Sequence, residues 1–386
     1  MMTVGTSSTQ VGTSSTQAGT SSTQAGTPSI KANLHTHTTW CDGKNTAEEM
    51  VLSAIESGFD VLGFSGHSYT SFDESYCMSR ENTEIYRQEI RRLADVYRDR
   101  IQIFCGIEQD LFADDPVAIR QAACSAPAPD EAAVPGNTAA YDYAIGSVHA
   151  VFKECSRSQL EAIRAEGYPS GVILAEPVDA EVQDEAKTQD EAEMQDEAEV
   201  QDEAETSRCG IYYYVDWEKE TMQWAIDRLY GGDSLALAED YFDSVTRFAD
   251  DPACQIVGHF DLLTKFEEQV SENGDGDDGP EPLFDTRHPR YLDAAGNAIF
   301  ALAGANKIFE INTGAMAKGY RTDPYPGGRL LEMILQAGGR ITINSDCHAA
   351  EKLDYGFAEA MDLARGVGFT EYWVLGPDGT WTAQAL

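Results

Sequence analysis

The sequence predicts an α/β fold built on parallel strands, and three observations predict it and place its site. From residue 30 onward, short β-branched or apolar runs alternate with amphipathic helical stretches, the pattern of strand–helix–strand crossovers. Six of the seven histidines lie at the C-terminal end of a predicted strand, or one to two residues beyond it. Strand ends are where the loops of a parallel barrel assemble an active site. The third observation is Leu34-His35-Thr36-His37. Side chains alternate along a strand, so His35 and His37 share one side, where a single metal ion takes both.

The elements follow in order. The first strand is Ala32–His35. A helix over 46–55 has Thr46 and Glu49 spaced for a capping box, and Gly58 ends it. Strand two is Val61–Ser65, closing at His67. A charged helix over about 81–98 leads to strand three, Ile101–Glu108. Strand four is Tyr143–Val148, closing at His149. A helix near 235–249 precedes strand five, Gln255–His259, and one at about 290–304 precedes strand six, Lys307–Asn312. A helix over about 327–337 leads to strand seven, Arg340–His348. A last helix over about 357–366 and the run Tyr372–Leu375 complete the pattern.

Composition narrows the function. The chain has 386 residues, 42% of them apolar, enough for a substantial core. A net charge of −39 argues against nucleic acid held on a basic face and against an anionic membrane surface. No apolar run reaches the length of a membrane span, and the start of the chain lacks the basic and apolar regions of a secretory signal. The eight cysteines (Cys41, Cys77, Cys105, Cys124, Cys155, Cys209, Cys254 and Cys347) are scattered, without Cys-x-x-Cys. Free thiols and a cytoplasmic location are the expectation.

Two segments stand outside this pattern. Residues 5–27 repeat Gly-Thr-Ser-Ser-Thr-Gln with period seven, so 1–29 read as a disordered polar tail. Residues 176–205 repeat Gln-Asp-Glu-Ala and hold 14 acids and one Lys, 13 of the 39 net negative charges. Such a block repels itself and reads as a solvated insertion in a domain covering 30–386. A shorter acidic stretch, 271–279, lacks the spacing of an EF-hand and reads as a surface loop.

Nine donors are candidate metal ligands: His35, His37, Asp42, His67, Glu108, His149, His259, Asp346 and His348. One ion uses three or four protein ligands. Nine, with carboxylates able to bridge, suit two or three divalent ions. Mixed histidine and carboxylate ligation fits zinc, manganese or iron. Cys41 and Cys347 are not counted, because their neighbours along the strand point the other way. His288, in an Arg-His-Pro-Arg turn, reads as surface.

His35-Thr-His37 with Asp42, Gly66-His67, Gly106-Ile107-Glu108, Gly146-Ser147-Val148-His149, Gly258-His259-Phe260-Asp261 and Ser345-Asp346-Cys347-His348 follow the motif order of the PHP (polymerase and histidinol phosphatase) superfamily. Within it the chain resembles the monofunctional histidinol-phosphatases over nearly all of 30–370. The resemblance implies a distorted (βα)7 TIM-like barrel with a trinuclear metal site at the C-terminal ends of the strands. It implies His35, His37, Glu108 and Asp346 on one ion, and His67, His149 and bridging Glu108 on a second. Asp42, His259 and His348 complete the set. Many members carry His where Asp42 stands.

The implied reaction is hydrolysis of L-histidinol phosphate, a small phosphomonoester, by attack of a metal-bridging hydroxide. His259, His348 and Asp346 form the expected catalytic set, with a histidine protonating the leaving alkoxide. Lys153, Lys265, Lys318 and Arg321 are candidate phosphate clamps, Arg321 first because guanidinium matches phosphate bidentately. Glu310 or Asp261 is the expected partner of the substrate's cationic groups. The alternative is a PHP phosphoesterase acting on nucleotides or other small phosphomonoesters. A DNA-associated PHP module is disfavoured by the acidic balance. Oligomeric state is left open.

Overall fold

The computed structural model describes residues 1, 29–70, 72–111, 141–175, 209–268 and 282–386. The polar repeat, the acidic block at 176–205, the acidic stretch at 271–279 and Cys124 lie outside them.

Two parallel sheets carry the site. The first has the order β1 (Ala32–Asn33), β2 (Val61–Phe64), β3 (Gln102–Cys105). The second runs β11 (Arg340–Asn344), β10 (Ile308–Asn312), β9 (Ile256–Val257), β5 (Ala144–Ser147), β4 (Ile107–Asp110). Two isolated parallel bridges tie the sheets together: Thr36 pairs with Cys347 beyond β1 and β11, and His67 with Glu108 beyond β2. These strands are buried on both faces, hence their near-continuous apolar runs.

The expected third strand divides at Gly106. Its first half pairs with β2 and its second half with β5. The cause is Tyr143. Its ring fills the space where a Cβ on Gly106 or Gly63 would stand, and its hydroxyl donates to Leu34 O (2.5 Å) and Phe64 O (3.2 Å). The hydrogen-bonded ring lies where the two sheets diverge.

The helices begin where capping chemistry dictates. The capping box at Thr46 and Glu49 starts α1 (Ala47–Glu56), which buries Ala47, Met50, Val51 and Ala54. Ser79 caps α2 (Arg80–Tyr97), Ser156 caps α3 (Arg157–Glu166), and α4 (Lys219–Leu229) follows. Asp233 caps α5 (Ser234–Thr246). His288, expected only as surface, accepts from Arg290 N at 3.1 Å and caps α6 (Pro289–Gly304). The short α7 (Gly314–Ala317), α8 (Gly328–Gln336) and α9 (Phe357–Val367) complete the set. Side chains such as Phe64, Phe242, Phe260 and Phe309 are fully buried between helices and sheets, each worth roughly 1.5–3 kcal/mol of transfer free energy.

Two antiparallel elements were not anticipated. β6 (Ala150–Glu154), β8 (Gly210–Tyr214) and β7 (Val172–Ala175) form a sheet in the order β6-β8-β7, beginning directly after His149. β12 (Glu371–Leu375) pairs with β13 (Trp381–Ala385). The first of these sheets carries one wall of the site.

Candidate metal centre and its cavity

The strand ends converge on Glu108, a fully buried carboxylate on β4. Its Oε2 lies 3.0 Å from His67 Nδ1, 3.2 Å from His35 Nε2 and 3.4 Å from His37 Nε2. Its Oε1 lies 3.0 Å from His259 Nε2 and 3.5 Å from His149 Nε2. Asp346, after β11, adds Oδ1 at 3.2 Å from His37 Nε2 and 3.6 Å from His35 Nε2. Asp42 reaches in from the turn after His37, 3.0 Å from His348 Nε2 and 3.7 Å from His67 Nε2. The structure therefore brings all nine expected donors into one cluster.

The cluster tests well as a cation site. His35 Nε2, His37 Nε2 and His67 Nδ1 are buried within 3.4 Å of Glu108 Oε2, yet none of these four atoms makes a hydrogen bond among the described residues. Such orphaned polar atoms call for a ligand. Four donor groups have their atoms within 4.8 Å of one another: His35–His37–Glu108, Glu108–His149–His259, His67–Asp110–His149 and His37–Asp42–His67–His348. The donor set fits divalent ions. It joins His259 to Glu108 and His149, where the resemblance puts His67 on that ion.

Behind the donors stand groups that aim them. His35 Nδ1 is 2.7 Å from Glu310 Oε1, His149 Nδ1 is 2.7 Å from Asp110 Oδ1, and His348 Nδ1 is 2.9 Å from Asp346 O. These contacts fix ring orientation and leave the opposite nitrogens facing the cluster. Asp110 was missed in the sequence, although it lies two residues beyond Glu108 on the same face of one strand.

Charge in the cluster is strongly coupled. Burial opposes ionisation of Glu108, but His35, His67 and His149 hold its carboxyl well below the usual range. Burial lowers His149 while Asp110 and Glu108 raise it further, leaving it at about 10. Burial, with His348 and His67 nearby, depresses His37 to about 3. Burial also keeps the flanking thiols protonated, Cys41 at about 12 and Cys347 at about 11.

Beside the cluster opens a cavity of about 390 Å³. Asp42, His67, His149, His259, Asp346 and His348 form its floor. Tyr76, Tyr214 and Trp217 make an aromatic wall, while Asp216, Lys265, Lys318 and Tyr325 add polar groups. Of the expected clamps, Lys265 and Lys318 line this space. Lys265 donates to Asp216 O at 2.6 Å, and Lys318 is exposed.

The other two clamp candidates, Lys153 and Arg321, are not among the residues lining this cavity. Lys153 points to Asp240 Oδ2 at 2.5 Å and covers the Tyr230 ring, outside the cavity lining. Arg321 is buried, donates to Thr264 Oγ1, and stacks on Tyr325. Glu310 and Asp261, the expected partners of the substrate's cationic groups, also lie outside the cavity lining. Glu310 is consumed by His35, Asn312, Asn344 and the His259 amide. Asp261 is buried and accepts from Gly327 N at 3.2 Å. Besides Asp42 and Asp346, the acidic groups Asp216 and Glu218 line the cavity; they follow β8 and carried no sequence signal.

Comparison with known proteins agrees with this geometry. Residues 33–206 match the PHP domain family model. The "Probable histidinol-phosphatase" of Schizosaccharomyces pombe is 27% identical over 170 residues, covering 44% of this chain and 52% of that protein. The chain thus spans about half the length of the curated relative it matches. Two solved structures share the fold at 16% identity. A Listeria monocytogenes chain named for histidinol phosphatase, hisK, superposes with a TM-score of 0.55 over 85% of this chain and 99% of its own. The histidinol phosphate phosphatase of Lactococcus lactis subsp. lactis, complexed with zinc, L-histidinol and phosphate, gives 0.53 over 91% and 98%. With the ordered motifs and the converging donors, the part of the chain over residues 33–206 is similar to the PHP domain family.

Proposed function

We propose that this protein is a metal-dependent phosphomonoesterase that hydrolyses L-histidinol phosphate to L-histidinol and phosphate in histidine biosynthesis. The observation that carries the reading is Glu108 at the hub of five imidazoles, with orphaned donor atoms, on the floor of a cavity sized for a small ester. The relative's name and the PHP match support the same class. The two bridges joining the parallel sheets support a distorted seven-stranded barrel as the scaffold.

Two or three divalent ions, zinc, manganese or iron, would supply charge neutralisation for the phosphoryl oxygens and a water of lowered pKa. His35, His37, Asp42, His67, Glu108, His149, His259, Asp346 and His348 would hold them. The remaining work falls to side chains. Lys318, exposed at the cavity, is the phosphate-binding cation, with Lys265 beside it. Whichever of His348, hydrogen-bonded to Asp42, and His259 is not ligating would return a proton to the leaving alkoxide. Asp216 and Glu218 face the cationic groups of histidinol, and the Tyr76–Tyr214–Trp217 wall packs its ring. Acidic lining favours this alcohol over the anionic nucleotides of the alternative reading.

Among the described residues no helix is long and apolar enough to cross a membrane. The seven described cysteines are free, which supports a cytoplasmic site of action. We further propose that 30–386 work as one domain and that deleting 176–205 leaves activity intact.

The test is phosphate release from L-histidinol phosphate, compared with a nucleoside monophosphate and an aryl phosphate, with and without chelator. A preference for histidinol phosphate that chelation abolishes supports the proposal. Equal slow turnover of all three transfers the protein to the broader phosphoesterase reading, and no turnover with metals loaded removes both.

A further inference from the structure

We propose that Tyr325 contacts substrate in this site, its phenol hydroxyl donating a hydrogen bond to a phosphoryl oxygen of the ester, and that Arg321 is the positioning residue that holds it there. The inference rests on the phosphoesterase reading above. It supplies a donor where an arginine clamp was expected.

Every part of Tyr325 is fixed except its hydroxyl. Its amide donates to Asn312 O at 2.9 Å, and its carbonyl accepts from Asn312 N at 2.7 Å, pinning the backbone to the end of β10. The Arg321 guanidinium lies 4.6 Å from the ring centroid. That guanidinium is itself held by Thr264 Oγ1, by Asp323 O at 3.2 Å, and by the carboxylates of Glu268 and Asp261 at 3.8 and 4.0 Å. Stacking on an aromatic face restricts the ring to one plane.

The hydroxyl is left over. Tyr325 is 2% exposed and lines the cavity, yet its Oη has no hydrogen-bond partner among the described residues. An unpaired buried donor is costly, so one retained against a ligand cavity calls for an acceptor from the ligand. A phenol offers a donor at neutral pH, and ionised phosphoryl oxygens only accept. Its position fits the phosphoryl end of the ester. The ring lies 6.4 Å from that of His259, and Lys265 and Lys318 line the same space. The other unpaired hydroxyl of the cavity, Tyr214, belongs to the wall that ends at exposed Trp217, on the side of the leaving alcohol.

The experiment uses the full chain loaded with metal. Tyr325→Phe keeps the ring and its stacking and removes only the hydroxyl. Affinity for inorganic phosphate is measured by calorimetry and product inhibition, beside kcat/KM for L-histidinol phosphate and phenyl phosphate. The expected result is phosphate bound about tenfold more weakly, with both esters losing kcat/KM by a similar factor and metal content unchanged. Arg321→Lys should weaken phosphate in the same direction and add nothing further to Tyr325→Phe. Unchanged phosphate affinity, or a loss confined to histidinol phosphate, overturns the role of Tyr325. Additive losses in the double variant overturn that of Arg321. If the unmodified, metal-loaded protein hydrolyses neither ester, the phosphoesterase reading itself falls, and this inference with it.

Discussion

Glu310 Oε1 lies 2.7 Å from His35 Nδ1, a contact between two fully buried side chains, one in the middle of β10 and one just beyond β1. The same carboxylate takes Asn344 Nδ2 at 2.9 Å, Asn312 Nδ2 at 2.8 Å and the His259 amide at 3.0 Å. Burial opposes its ionisation, but His35 outweighs that and holds it below the usual carboxylate range. Glu310 therefore keeps its charge and points His35 Nε2 at the cluster. Glu310→Gln should lower metal affinity by about 10–100-fold with little change in KM once metal is restored. Metal content after dialysis is the check, and a variant that keeps its metal but loses substrate binding would return Glu310 to the substrate.

Metal loading should depend on pH through His149. Asp110 and Glu108 outweigh burial and raise this histidine to about 10, so the metal-free protein carries a proton there at neutral pH. Ligation requires the neutral ring, so for this group affinity rises with pH, by about tenfold per unit, up to about 10. Stability of the metal-free fold runs the other way. The contribution of the raised histidine is complete below its unfolded value of about 6.5 and is lost as pH climbs through about 10. Calorimetric titrations between about pH 6.5 and 8.5 read the first trend. Asp110→Asn should flatten it, and a pH-independent affinity in the unmodified protein would refute the linkage.

The cations separate by placement. Lys318→Ala should raise KM about tenfold with little change in kcat, the signature of lost uniform binding. Lys153→Ala should leave both constants unchanged, because its Nζ is turned to Asp240 and Tyr230. Steady-state kinetics on the two variants decide it, and equal effects would contradict the cavity geometry.

Gly106 leaves no room for a side chain. A Cβ there meets the Tyr143 ring, which is itself tied to Leu34 O and Phe64 O. Gly106→Ala should cost about 1–3 kcal/mol by overpacking. Urea melts would show it as a lower midpoint at constant slope, and an unchanged midpoint would mean that the ring can move aside.

What the sequence determined by itself is the part governed by local rules. Strand and helix periodicity, the Thr46–Glu49 box and the placement of histidines at strand ends are all properties of consecutive residues. A metal-ligand set is legible for the same reason, because its donors are scarce residue types that sit where strands stop. Asp110 carried that signal too, two residues past Glu108.

Tertiary structure decided what lies between elements. Which side of β6 carries Lys153, and that Arg321 folds back on Tyr325, depend on packing partners 87 and 57 residues away, Asp240 and Thr264. Glu310 could serve a substrate or a histidine equally well by residue type. It faces His35 because β10 and β1 are brought to the same end of the fold, with β11 between them. The cavity wall of Tyr214, Asp216 and Trp217 comes from an antiparallel sheet appended after His149. Side-chain alternation fixes which residues share a face. Only long-range pairing fixes what that face meets.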